Sequence, residues 1–109
     1  MEKDYADYAL LFKALSDETR LKIIDMLSCG ELCACDILKQ FNITQPTLSY
    51  HMKILTECGL VNGVREGAWM RYTINKENAD NILEYWKAIT NPKKECICYI
   101  KRAKDGHNF

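Results

Sequence analysis

Two helical apolar stripes lie only about three residues apart in this chain, and few folds accommodate that spacing. Ala34, Ile37, Leu38 and Phe41 recur at i, i+3, i+4 and i+7; the pattern stops at Asn42-Ile43 and resumes as Leu48, Met52 and Leu55. Thr44 supplies a capping oxygen for the resumed helix, Pro46 falls in its first turn where a missing N–H is harmless, and Gly59 closes it. Two helices joined by so short a turn form a helix-turn-helix, whose second member carries exposed side chains into a DNA major groove.

The flanking segments extend this reading. Tyr8, Leu11, Phe12 and Leu15 mark a first helix, and Ser16-Asp17 caps a second that carries Leu21, Ile23, Ile24 and Leu27 and ends at Cys29-Gly30. Leu60–Arg65 and Ala68–Ile74 read as strands joined at Glu66-Gly67, with Met70, Tyr72 and Ile74 on one face and Trp69, Arg71 and Thr73 on the other. This hairpin is the expected wing. Ala79, Ile82, Leu83 and Trp86, widened by Tyr85 and Ile89, give a last helix that ends before Asn91-Pro92. Its apolar surface exceeds what a small domain covers, so it is expected to pack with the first helix across a two-fold axis. The expected fold is mainly α with a β-hairpin wing, a dimeric winged helix-turn-helix. Residues 1–92 form the dimerising DNA-binding domain and residues 93–109 a cysteine-containing tail.

At 109 residues the chain has room for one domain. It shows neither a membrane-length apolar run nor a secretory start, so a soluble cytoplasmic protein with no membrane partner is expected. Net charge is zero but unevenly spread. Residues 1–36 hold 4 Lys/Arg against 8 Asp/Glu, residues 37–76 hold 5 against 2, and residues 77–109 hold 6 against 5. The basic middle suits a phosphate-facing surface, although a solvated helix face gives the same count.

On the fourth helix, Gln45, Thr47, Ser49, Tyr50 and Lys53 lie opposite the buried stripe, and His51 is divided between a groove contact and a packing role. Gln, Ser and Thr hydrogen-bond base edges, an aromatic ring meets a thymine methyl, and Lys53 suits the backbone. Arg65, Arg71 and Lys76 are expected to reach phosphate or the minor groove. In an isolated helix such residues are more often caps and solvated groups; the succession of helix, turn, helix and hairpin reverses that preference.

Four of the six cysteines form two Cys-x-Cys pairs, Cys33/Cys35 and Cys96/Cys98, while Cys29 and Cys58 read as structural. An i, i+2 pair shares no helical stripe unless the backbone is distorted or still extended there, which a shared ligand favours. Soft thiolates select soft or borderline metals, and a sulfur-only site points away from catalytic zinc. Two sulfurs seldom close a site, so the tail pair, from either subunit, is the expected donor of a third or fourth ligand; a redox-active tail pair is an equal alternative. An enzyme is not expected, because no phosphate loop, strand-to-helix Cys-x-x-Cys or base beside a cysteine is present.

Over about residues 8–90 the chain resembles the ArsR/SmtB family of bacterial metal-responsive winged-helix repressors. The resemblance rests on Phe12-Lys13-Ala14-Leu15-Ser16-Asp17-Glu18-Thr19-Arg20-Leu21, Glu31-Leu32-Cys33-Ala34-Cys35-Asp36, Gln45 to Leu55 with Gly59-Leu60-Val61, and Arg65-Glu66-Gly67-Ala68-Trp69-Met70-Arg71-Tyr72. It implies a homodimer that binds operator DNA and releases it when metal binds. Cys33/Cys35 matches the family's arsenic and antimony motif, which implies arsenite or antimonite as inducer and no required cofactor. Cadmium or lead sensing and thiol oxidation are the alternative triggers, but no cysteine precedes Cys29, which counts against the cadmium/lead type. The arsenic sensors' third cysteine falls at Leu38 here, so Cys96 or Cys98 would have to substitute. The family's zinc sites use Asp and His on the last helix, where this chain has Asp80 and Glu84 but no His.

Overall fold

Side-chain caps set where the helices begin in the computed structural model, which describes residues 3–92. Helix α1 (Tyr5–Leu15) opens with a reciprocal pair: the Asp7 N–H donates to Asp4 Oδ1 at 3.0 Å and the Asp4 N–H to Asp7 Oδ2 at 3.1 Å. In α2 (Glu18–Leu27) the Arg20 N–H donates to the Asp17 carboxylate at 3.0 Å. The expected Thr44 cap is present in α4 (Gln45–Glu57), bonded to the Thr47 N–H at 3.3 Å, and Asn75 caps α5 (Lys76–Thr90). Each such cap contributes about 1 kcal/mol.

The hairpin forms as expected. Strands β2 (Val61–Glu66) and β3 (Trp69–Ile74) pair antiparallel, so the turn falls at Gly67-Ala68, one residue later than the sequence suggested. A third strand was not expected. Leu32–Cys33, here β1, joins the other edge of β3, giving the order β1-β3-β2 with Leu32 opposite Tyr72 and Cys33 opposite Arg71. Two residues are too few to show strand alternation, and the Leu32, Ala34 and Ile37 spacing imitates a helix. The following helix α3 (Ala34–Leu38) is shorter than the stretch to Phe41 that its stripe implied. Beyond Leu38 the backbone tightens, with Gln40 N–H bonded to Ile37 O at 3.0 Å and Phe41 N–H to Leu38 O at 3.2 Å.

The core lies where α2, α3 and α4 meet the sheet. Ile23, Ile37 and Leu55 are wholly buried there, with Leu11, Leu27, Leu48, Met52, Leu60, Val61 and Tyr72 around them. Burying each such aliphatic side chain is worth about 2 kcal/mol before entropy is counted. Leu21, expected in the α2 stripe, faces outward. On β3 the expected inner face of Met70, Tyr72 and Ile74 does pack on this core.

Helix α5 touches the core through Ile82. Tyr85 stacks on Tyr8 of α1 with ring centroids 3.6 Å apart, and Trp86 meets Phe12 edge-on at 6.2 Å. The α1–α5 packing expected across a two-fold axis thus exists inside one protomer. Leu83, Trp86 and Ile89 stay open to solvent, as does Leu10 of α1.

Gly59 turns the chain out of α4 with φ +85°, a left-handed conformation that side chains resist. Asn78 of α5 then donates from Nδ2 to the Gly59 carbonyl at 2.7 Å, and a Cβ on residue 59 would lie 2.9 Å from that nitrogen. Gly59→Ala is therefore expected to lose about 1–2 kcal/mol and several degrees of Tm, read by thermal unfolding. An unchanged Tm would show that this joint bears no strain.

Candidate nucleic-acid interface and dithiol site

Leu48, Met52 and Leu55 turn one side of α4 into the core, which leaves Gln45, Thr47, Ser49, Tyr50 and Lys53 exposed on the other. Tyr50 is 61 % exposed and free of the core, and Lys53 lies 3.9 Å from Glu57 one turn on. His51 departs from the expected groove set. Its side chain is only 12 % exposed, and its Nδ1 lies 2.9 Å from an Arg20 guanidinium nitrogen. A guanidinium only donates, so Nδ1 offers its lone pair and the ring proton sits on Nε2. Arg20 also donates from Nε to the Ala14 carbonyl at 2.6 Å, so one side chain ties the ends of α1 and α2 to the flank of α4.

The wing residues also divide. Arg65 is exposed beside the start of α4, and no described carboxylate lies within ion-pair distance of it. Arg71, expected on DNA, instead bridges two carboxylates, with Nε 3.0 Å from Glu66 and an Nη 3.6 Å from Glu31. It therefore clamps the hairpin to the residue leading into β1. Lys76 is drawn to Asp80 at 2.7 Å on its own helix.

At the other end of that clamp lies the Cys-x-Cys pair. Cys33 has extended backbone (φ −83°, ψ 158°) and is 8 % exposed, whereas Cys35 is already helical and half-buried. The change from strand to helix between them brings the sulfurs into disulfide contact with Cα atoms 5.4 Å apart. This is the arrangement that an i, i+2 pair needs. The Asp36 N–H donates to Cys33 Sγ at 3.4 Å, so the thiol is itself the cap of α3. The Asp36 carboxylate lies 3.2 Å from the same sulfur, which corrects the expectation of a sulfur-only site. Cys33, Cys35 and Asp36 place one donor atom each within 4.8 Å of one another, the one such trio among the described residues. The cap spacing i, i+3 was the signal in the sequence that pointed to Asp36.

Cys96 and Cys98 lie outside the described residues. Cys58 fits its structural assignment, half-buried with its thiol donating to the Leu55 carbonyl at 3.4 Å. Cys29 does not, since it is exposed at the end of α2. Cys35 opens onto a cleft of about 480 Å³ enclosed by α3, the start of α4 and the wing.

A short turn between α3 and α4, a groove-shaped helix face and a β-hairpin beside it define a winged-helix DNA-binding regulator. Residues 17–63 match the model of the bacterial regulatory protein arsR family. The chain is 42% identical to an arsenical resistance operon repressor of Staphylococcus aureus over 94% of its own length and 96% of the relative's. A Staphylococcus xylosus repressor of the same description is 43% identical over the same shares. Its fold matches the solved ArsR-like transcriptional regulator from Rhodococcus sp. RHA1 with a TM-score of 0.74 at 26% identity, covering 94% of this chain and 97% of that one. This protein belongs to the bacterial ArsR family of transcriptional repressors, DNA-binding regulators and not enzymes.

The Asp17 cap gives this assembly a measurable pH dependence. The Arg20 backbone N–H, and then the Arg20 guanidinium, outweigh partial burial and hold its carboxyl below the usual value of 3.8. A lowered folded-state pKa stabilises fully above 3.8, and that stabilisation is lost as pH falls through the folded value. Asp17→Asn is expected to unfold at lower temperature than the parent at about pH 6 and to match it more closely at about pH 3. A gap in Tm that does not narrow on acidification would remove Asp17 from this role.

Proposed function

We propose that this repressor is a cytoplasmic homodimer that holds its operator when reduced and free of metal, and releases it when trivalent arsenic or antimony bridges Cys33 and Cys35. The carrying observation is that two juxtaposed sulfurs sit on the segment that joins the wing to the helix-turn-helix. The names of the two staphylococcal relatives support arsenic as the trigger. Gln45, Thr47, Ser49 and Tyr50 read base edges, while Lys53 and Arg65 meet phosphate. Arg71 and His51 act inside the protein instead.

Capture of the ion removes a cap and pulls on a ladder. Cys33 Sγ ceases to accept the Asp36 N–H and becomes a ligand, which frees the start of α3. Cys33 is also paired with Arg71 of β3, so its displacement moves the wing relative to α4. Cys96 or Cys98 supplies a further thiolate to an ion of three free valences. Coupling is reciprocal, so DNA weakens arsenic binding by the same factor, typically ~1–3 kcal/mol.

Two apolar surfaces left open, Leu83, Trp86 and Ile89 of α5 with Leu10 of α1, carry the second protomer. Trp86→Glu is expected to shift the protein toward monomer in sedimentation velocity and to weaken operator binding by at least about tenfold. A dimer of undiminished stability would place the interface elsewhere.

In gel shifts with reduced protein, arsenite is expected to release wild-type protein from operator, while Cys33→Ser and Cys35→Ser stay bound. Release of both variants at the wild-type arsenite concentration would eliminate the dithiol as sensor. The sulfur contact also favours a second reading, in which oxidation to a Cys33–Cys35 disulfide is the trigger. Release by peroxide without arsenic, reversed by a dithiol reductant, distinguishes it.

A further inference from the structure

The two described thiols satisfy only two of the three valences of arsenic(III). The position one turn on from Cys35, where a third sulfur would close the site within the helix, is Leu38, an apolar side chain. Leu38 and Cys35 both line the 480 Å³ cleft between α3, α4 and the wing. Met52, Trp69 and Met70 form the rest of its apolar wall, a thioether and indole surface suited to a flat hydrocarbon group.

We infer that this cleft is a subsite for the organic substituent of a trivalent organoarsenical, R–As(OH)₂, whose arsenic is held by Cys33 and Cys35. The inference rests on the dithiol reading given above and adds the nature of the third group on arsenic. In the reaction two As–O bonds break and two As–S bonds form. Each thiol proton leaves with a hydroxide as water, and arsenic stays trivalent, so no oxidant or reductant is consumed. The carbon–arsenic bond stays intact and points its substituent away from the sulfurs into the apolar cleft.

Occupation of the cleft also acts on DNA binding without a relay. Gln45, Ser49 and Arg65 belong to the proposed groove-facing surface and line the same cleft. An aryl group seated there stands between the start of α4 and the wing, where those three side chains must converge on the duplex.

The test is a set of operator-release titrations on the reduced full-length protein, by fluorescence anisotropy, with phenylarsonous acid, methylarsonous acid and arsenite. The phenyl and methyl compounds present the same two valences to sulfur and differ only in what enters the cleft. The phenyl compound is expected to release operator at a concentration lower by on the order of tenfold. Ala68→Phe fills the cleft mouth from the wing turn and should bring the two within about twofold of each other. Isothermal titration without DNA gives the same comparison if the variant binds operator poorly. Leu38→Cys supplies a third sulfur and should shift the preference toward arsenite. Equal potency of phenyl and methyl compounds, or a difference that survives Ala68→Phe, overturns the subsite and leaves the dithiol sensor intact. Failure of all three compounds to release operator overturns both.

Discussion

A ladder only two residues long connects the thiols to the rest of the molecule. Leu32 and Cys33 pair with Tyr72 and Arg71, and through them the edge of the wing is bonded to the start of α3. Each backbone hydrogen bond in such a pairing contributes roughly 1 kcal/mol, so the join is strong enough to be specific and weak enough to be shifted by a ligand. It also explains the Cys-x-Cys geometry. Extended backbone at Cys33 followed at once by helix turns two side chains, which a regular helix would spread apart, toward the same point.

The surroundings of that ladder are stiff, which directs its movement outward. Tyr72, opposite Leu32, is buried in the core with Ile37 and Leu55, and α4 is pinned from behind by Arg20 through His51 and from its end by Asn78 on the Gly59 carbonyl. Close-packed interiors change by discrete rearrangement and not by gradual strain. The compliant parts are those with less packing, namely the five-residue α3 and the exposed turn of the hairpin. Both flank the face proposed to meet DNA.

The sequence made the helical framework legible because each helix carries its own start signal and stripe: Asp17 and Thr44 cap where expected, and Leu48, Met52 and Leu55 point inward as their spacing requires. Alternation along Met70, Tyr72 and Ile74 likewise revealed the inner face of the wing. What escaped was non-local. Strand β1 is defined by its partner and not by its own two residues, and α3 ends early because its last turn tightens. His51 and Arg71 look like groove contacts from their neighbours in the chain, yet each is claimed by a residue distant in sequence, Arg20 and Glu31. Asp36 was overlooked beside the thiols although its place three residues after a capping side chain foretold the contact. The family resemblance named the cysteine pair, and the structure supplies the reason its two members meet.

Charge pairing on the proposed DNA side sets how the repressor responds to its surroundings. Lys39 sits 4.0 Å from Asp36, Lys53 3.9 Å from Glu57 and Arg71 3.0 Å from Glu66, whereas Arg65 has no carboxylate within that range among the described residues. Cations already partnered release fewer condensed ions from a duplex than free ones do. Affinity then depends less on ionic strength and more on the fit of the helix and hairpin to the duplex. A regulator built this way ignores fluctuations in cellular salt while remaining responsive to sub-ångström changes of shape.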